Sequence, residues 1–292
     1  MVKTYSQLYL DVRRTLLSQE AEDIAGIMAR NLLCHFSGKS REFLLTNGNL
    51  YAAEEVCDAV EQALARLLQG EPLAYVLEEW DFYGMTLYVN KSVLIPRDDT
   101  CALAELGIRN ARGLSETPRV LDLCTGSGCI GLAVAKQISN SKVVLGDISQ
   151  EALSVARKNI NLHKLNGRVT CLAVDALDTP SPFLGKFDLI LSNPPYITTR
   201  EMDELPESVK AFEPHLALHG GTDGLDFYRA IARNFRSALR PGGVLCFEFG
   251  LGQGDDVCQI LKENGYTILE RTRDFNHIER AVSARLDRED VE

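Results

Sequence analysis

The chain of 292 residues has no long hydrophobic run. Its longest apolar stretches, residues 187–191 and 244–249, fall far short of the roughly 18 to 20 residues that span a bilayer. No basic segment followed by an apolar one stands at the N-terminus. No membrane association is expected, and the cytoplasm is the expected location. Cys-x-x-Cys pairs are missing as well. The eight cysteines stand at 34, 57, 101, 124, 129, 171, 246 and 258 without a histidine at zinc spacing, so neither a disulfide framework nor a structural metal is expected. Cys171 and Cys246 fall in apolar runs, and all eight read as small core hydrophobes. Basic charge is also short: 31 Lys and Arg against 41 Asp and Glu leave a net charge of −10. That balance argues against nucleic acid as a partner and permits a basic protein partner. Repeats and low-complexity segments are lacking too.

What is present is a change of pattern along the chain. Over residues 6–68 apolar positions recur at three- and four-residue spacings, as in Ile24, Ile27, Met28 and Leu32, then Val56, Val60, Ala63, Leu64 and Leu67. This period predicts about four helices, broken at Ser37-Gly38 and Thr46-Asn47-Gly48-Asn49 and ending at Gly70 before Pro72. Residues 80–96 switch to a strand pattern around Gly84 and Asn90-Lys91, which predicts a β-hairpin linker. A helix is expected from about residue 100 to 112. Beyond Pro118 strands and helices alternate: strands at 119–123, 142–145, 169–173, 187–191, 244–249, 267–269 and 281–285, and helices at 129–138, 151–162, 227–239 and 255–263. Such alternation predicts a parallel sheet covered by helices on both faces. The expected domains are a helical one at 1–79, the hairpin linker at 80–96 and an α/β domain at 97–292.

The first candidate site is the run Asp122-Leu123-Cys124-Thr125-Gly126-Ser127-Gly128, a glycine-rich turn between a buried strand and a helix. Ligands bind at this edge of doubly wound sheets, and glycines let the backbone approach them. Asp147 ends the next strand 21 positions after Gly126, the separation of a ribose-binding carboxylate. Ile148 follows it, and Asp175-Ala176 ends the third strand, where adenine would lie. Gly126-x-Gly128-x-x-Gly131 also fits a dinucleotide fingerprint, so the turn alone does not choose between NAD and S-adenosylmethionine. Asp122 tips the balance, because an anion there would repel a pyrophosphate and could meet a cationic methionine moiety directly or through water. Capping of the turn is the structural alternative for Asp122, and an Asx turn onto Ser149 is that for Asp147. A plain turn residue is the corresponding reading of Asp175.

The second candidate site is Asn193-Pro194-Pro195-Tyr196, directly after an apolar strand. An amide or ring amino nitrogen is a poor nucleophile because its lone pair is delocalised. The Asn193 side-chain oxygen and the Pro194 carbonyl can accept both N–H bonds of a planar NH2 group and aim its lone pair. Tyr196 offers a face against which a planar acceptor can pack. In-line displacement from a sulfonium depends mainly on such positioning. A strand-to-loop turn is the plain alternative.

These motifs resemble those of the HemK/PrmC family, protein-glutamine N5-methyltransferases of class-I peptide release factors. The likeness extends over almost the whole chain. It takes in Gly70-Glu71-Pro72-Leu73-Ala74-Tyr75, Val93-Leu94-Ile95-Pro96-Arg97, the two sites above, Phe212-Glu213-Pro214, the stretch 220–228 and Arg273-Asp274-Phe275-Asn276. The resemblance implies an α/β fold, a Rossmann-like class I S-adenosylmethionine-dependent methyltransferase domain with a small N-terminal helical bundle. It implies S-adenosylmethionine held by Asp122, Cys124, Thr125, Gly126, Ser127, Gly128, Asp147, Ile148, Asp175, Ala176 and Asn193. The acceptor glutamine of a Gly-Gly-Gln motif would lie on Asn193, Pro194, Pro195 and Tyr196, with Asn193, Pro194 and Tyr196 the catalytic group. The helical domain would contact the release factor, and a monomer is expected.

Three positions depart from the family pattern. Asp98-Asp99 stand where Pro-Glu is usual, Cys124 replaces a glycine, and Leu77-Glu78-Glu79-Trp80 replaces a glycine-containing turn. Asn-Pro-Pro-Tyr also occurs in nucleic-acid N-methyltransferases, so adenine N6, guanine N2 and a ribosomal-protein glutamine remain alternative acceptors. His215 and His219 are four apart but sit in a loop with no third ligand, so no metal site is expected. The acidic residues 287–292 read as a solvated tail.

Overall fold

A computed structural model describes residues 3–287 and divides the chain into two compact units, Met1–Glu78 and Glu79–Glu292. The first is helical: Tyr5–Leu16, Glu22–Ser37, Arg41–Thr46, Glu54–Leu68 and Leu73–Leu77. The amphipathic period buries one stripe of each long helix. Leu8, Val12, Leu16, Ala25, Ala29, Leu32, Leu33, Val60, Ala63 and Leu67 close a single core. Thr4 opens the first helix with a capping box onto Gln7, the reciprocal bond pair that satisfies otherwise orphaned N–H groups. The fifth helix was not read from the sequence, since Pro72 ends one helical pattern and begins another at its N-cap. Arg66 holds this corner, donating two hydrogen bonds to the Glu71 carboxylate at 2.7 and 2.6 Å and a third to the Tyr75 carbonyl at 3.1 Å. The motif 70–75 is therefore a built turn.

The second unit opens on a two-stranded antiparallel hairpin, β1 (Glu79–Phe82) and β2 (Met85–Tyr88). It is shorter than the span 80–96, because residues 89–97 run without regular structure. Seven strands follow in one sheet: β3 (Arg119–Leu123), β4 (Lys142–Asp147), β5 (Val169–Ala173), β6 (Phe187–Ser192), β7 (Leu239–Glu248), β8 (Tyr266–Arg273) and β9 (Glu279–Leu286), in the order β5-β4-β3-β6-β7-β9-β8. The first five are parallel, as expected. β9 alone is reversed, running antiparallel to both β7 and β8, so the sheet is mixed. Only residues 274–278 separate β8 from β9, too few for the crossover that a parallel pair requires.

Alternation of side chains sends Leu121, Leu123 and Ile190 to one face of the sheet. There they pack in a common core with Tyr228, Ile231 and Phe235 from the helix Asp226–Asn234 and its extension. Leu191 points the other way and meets the helix Cys101–Leu114 at Gly107, where a Cβ would stand 2.8 Å from the leucine. Helices therefore cover both faces. Two short helices, Thr199–Met202 and Glu207–Phe212, were not foreseen; neither buries a residue, so neither leaves a hydrophobic period.

All eight cysteines are free. Cys57, Cys129, Cys246 and Cys258 are buried, whereas Cys34, Cys101, Cys124 and Cys171 are partly exposed, so the reading of all eight as core holds for half of them. Of the acidic tail, residues 288–292 lie outside the described residues.

Candidate active site

Strand order reverses between β3 and β6, whose neighbours lie on opposite sides, and the carboxyl edge at such a switch point is where open α/β sheets bind ligands. Register brings the motifs together there. Leu123 pairs with both Gly146 and Ser192, and Asp147 with Ala173. The turn after β3, Asp147, Asp175 and Asn193 consequently surround one cavity. Its wall includes Cys124, Thr125, Gly126, Ser127, Asp147, Ile148, Asp175, Ala176, Asn193 and Pro195.

The turn holds its shape through backbone bonds. Gly126 and Gly128 have φ of 53° and 85°, and Cys124, in place of glycine, also adopts a left-handed φ of 60°. The Gly126 N–H donates to Asp147 Oδ2 at 2.9 Å, and the Ser149 N–H to Asp147 Oδ1 at 3.0 Å. Asp147 thus makes the Asx turn weighed as its structural reading, yet its carboxylate still lines the cavity. Burial raises its pKa above the usual carboxylate value. Asp175 accepts the Leu177 N–H at 2.8 Å and lines the same wall.

Asp122 does not line the cavity directly. It is fully buried below the turn. Its Oδ2 accepts Thr125 Oγ at 2.6 Å and the Gly131 N–H at 2.8 Å. That caps the first turn of the helix Cys129–Gln137 from inside, the structural reading weighed for it. Its Oδ1 has no hydrogen-bond partner, and burial pushes its pKa up to about 7. Gly128, likewise outside the wall, has a packing role: a Cβ there would meet Leu145 at 3.0 Å.

The tetrapeptide divides similarly. Asn193 and Pro195 reach the cavity; Pro194 is buried, and Tyr196 packs against the core formed with Tyr228 and Phe247. Burial lifts the Tyr196 phenol to about 12. The loop is clamped by the stretch 220–228, for a Cβ at Gly220 would lie 2.6 Å from the Pro195 carbonyl oxygen and one at Gly224 2.3 Å from that of Tyr196. Gln253 Nε2 donates to the Tyr196 carbonyl at 3.1 Å.

Several cavity residues were missed. Ser92, Val93, Leu94 and Pro96 come from the chain after the hairpin, and Thr100, Leu216 and Phe227 from more distant loops and helices. Buried Asn159 ties the hairpin to the glycine turn, donating to the carbonyls of Tyr88 and Ser127 at 2.9 Å each and accepting the Tyr88 N–H at 2.7 Å. Trp80 Nε1 holds the Pro96 carbonyl at 3.0 Å. His219 bonds to Thr199 at 2.9 Å, and no metal-ligand cluster occurs among the described residues.

The donor set separates the two cofactors that the glycine turn left open. The cavity wall carries two aspartates and no lysine or arginine. A pyrophosphate would meet only repulsion from those side chains, whereas a sulfonium and an ammonium meet complementary charge. Ile148, Val174, Ala176 and Leu177 supply an apolar slot beside Asp147, which suits a nucleoside. These residues fit S-adenosylmethionine.

Comparison with known proteins agrees in kind. Residues 10–77 match the PrmC N-terminal domain family and residues 109–212 the methyltransferase small domain family. A release factor glutamine methyltransferase of Geobacter sulfurreducens is 38% identical over 279 residues, 95% of each chain. One of Clostridium acetobutylicum is 37% identical over 253 residues, 87% of this chain and 88% of the relative. Among solved structures, the hMettl16 catalytic domain in complex with a 3'UTR hairpin superposes with a TM-score of 0.57. It shares 14% identity over 89% of this chain and 94% of that one, a likeness of fold alone.

Proposed function

This chain belongs to the release factor glutamine methyltransferase family, and we propose that it methylates the side-chain amide nitrogen of the Gly-Gly-Gln glutamine in class-I peptide release factors. The observation that carries this reading is the cavity itself, in which an acidic, apolar-sided cofactor cradle runs up to the Asn193 carboxamide at the sheet edge. S-adenosylmethionine, when bound, supplies an electrophilic methyl group on a cationic sulfur. Ile148, Ala176 and Leu177 would bracket its adenine, and Asp147 would accept from the ribose hydroxyls.

The protein's own task is orientation. An amide nitrogen attacks only if its lone pair is turned toward the methyl group. The Asn193 Oδ1 and the Pro194 carbonyl would accept the two N–H bonds and hold that geometry. Tyr196, packed on one side by the core, stiffens the loop that carries them. We assign recognition of the release factor to the helical unit Met1–Glu78, and the same reading puts the enzyme in the cytoplasm. Among the described residues no helix is long and apolar enough to cross a membrane.

Incubation with methyl-labelled S-adenosylmethionine and, separately, purified release factor, ribosomal protein and DNA tests the proposal, with the methyl group located by mass spectrometry. Label on the release-factor glutamine is expected. Label confined to ribosomal protein or DNA overturns it.

A further inference from the structure

One buried carboxylate at this edge has no part in the chemistry so far. Ser192 pairs with Phe247 across β6 and β7, so the residues that follow, Asn193 and Glu248, are neighbours. Glu248 is buried. Thr100 and Asn193 lie beside the carboxylate and offer it donors, Asn193 Nδ2 lies 3.4 Å from Thr100 Oγ1, and the buried Glu248 Oε2 has no hydrogen-bond partner. Arg280, whose charge acts on Glu248, is bonded instead to Asp99 and Asp274 at 3.0 Å each. Glu248 is therefore not the structural partner of that arginine. Nor does Thr100 cap the helix it precedes, although it occupies the N-cap position.

The two ends of an asparagine carboxamide have the same shape and opposite hydrogen-bonding character. Only one orientation can accept an N–H from the substrate. An ionised carboxylate accepts and never donates, so beside Asn193 it selects Nδ2 and turns Oδ1 away. We propose that Glu248 is a positioning residue, which holds the Asn193 carboxamide by Nδ2 so that Oδ1 faces the acceptor amide in the cavity. The inference rests on the proposed role of Asn193. Groups that face Glu248 are Arg280 on β9, Asp99 before the helix Cys101–Leu114, Cys101 and Cys129 on two helices, and Tyr196 and Tyr228. Burial raises the Glu248 pKa to about 8, so its acceptor-only form grows in as pH rises through that region.

Glu248→Gln keeps the shape and removes a buried charge, so the variant should fold. Above about pH 8, where Glu248 is ionised, its kcat on release factor should fall below that of the wild type by about tenfold or more, as for a displaced catalytic contact. KM and calorimetric affinity for S-adenosylmethionine should stay within about twofold. The rise of wild-type kcat with pH should disappear, and in an Asn193→Ala background Glu248→Gln should cause no further loss. Wild-type kcat in Glu248→Gln, or an equal loss in that background, overturns the inference. If the wild-type enzyme labels no glutamine at all, the proposed function fails and this inference with it. If it labels glutamine and Glu248→Gln is unimpaired, only the positioning role falls.

Discussion

Arg97 and Glu213, 116 residues apart, form an ion pair in which the glutamate side chain is almost wholly buried and the arginine half exposed. It joins the end of the irregular segment 89–97 to the end of the helix Glu207–Phe212, both next to the cavity. Pro96 and Pro214, one residue away on each side, are in the cavity wall. Two motifs that are far apart in sequence are thus one brace.

Arg97→Ala should destabilise the second unit by about 1 to 3 kcal/mol, the cost of leaving a buried acceptor unpaired. Urea denaturation measures it. Adding Glu213→Gln should recover part of the loss, because it removes the stranded charge; strictly additive losses would show that the pair is not coupled.

Asn193→Ala should lower turnover by about 10²-fold or more while leaving cofactor affinity nearly intact, the scale of losing one positioned polar group. Steady-state kinetics alongside calorimetry separates the two effects. Turnover at the wild-type level would remove Asn193 from the acceptor site.

Asp147→Ala should weaken S-adenosylmethionine binding by about 1 to 3 kcal/mol, since a hydroxyl bonded to a charged group loses its acceptor. The Gly126 N–H loses its partner as well. Calorimetry that finds unchanged affinity would exclude Asp147 from the cofactor site.

Cys124 holds a φ of 60°, which costs a residue with a Cβ about 1 to 2 kcal/mol relative to glycine. Both Cys124→Gly and Cys124→Ala lose the thiol packing, but only the glycine relieves the strain. Cys124→Gly should therefore be the more stable of the two by about 1 kcal/mol, the reverse of the usual order. Thermal melts of the pair decide it, and a more stable alanine variant would refute the strain.

Asp122 and Glu248 keep their protons in the folded state up to about pH 7 and about pH 8, whereas unfolded carboxyls release them near pH 4. Between these limits the folded chain binds more protons than the unfolded one, so this contribution to stability falls as pH rises from about 4 to about 8. Urea midpoints of the cofactor-free protein should show a shallower decline across that range in Glu248→Gln. An identical decline would mean that Glu248 is already ionised at the acid end.

Much of this site was readable because its parts are local. A buried strand, a glycine turn and an acid about 20 residues on form one continuous signature, and Asn193-Pro194-Pro195-Tyr196 is four consecutive residues. Thr198 and Glu201 form a capping box in the structure, but a four-residue helix with no buried face leaves no period in the sequence. Asp122 stands at the strand end, but its direction is not legible there, because a carboxylate at that point can serve the ligand or the helix below. The choice depends on whether Thr125 and Gly131 reach it first.

The sequence by itself determined the helical unit, the existence of each long strand and the place of the two motifs at strand ends, since periodicity and composition report burial and local bonding. Only the tertiary structure decided that β9 inserts antiparallel between β7 and β8, that Arg97 braces Glu213, and that Glu248 stands behind Asn193. Strand direction, ion pairing and the neighbours of a buried acid are set by register between segments far apart in the chain. A linear pattern carries each segment's preference, and packing selects which preferences are satisfied together.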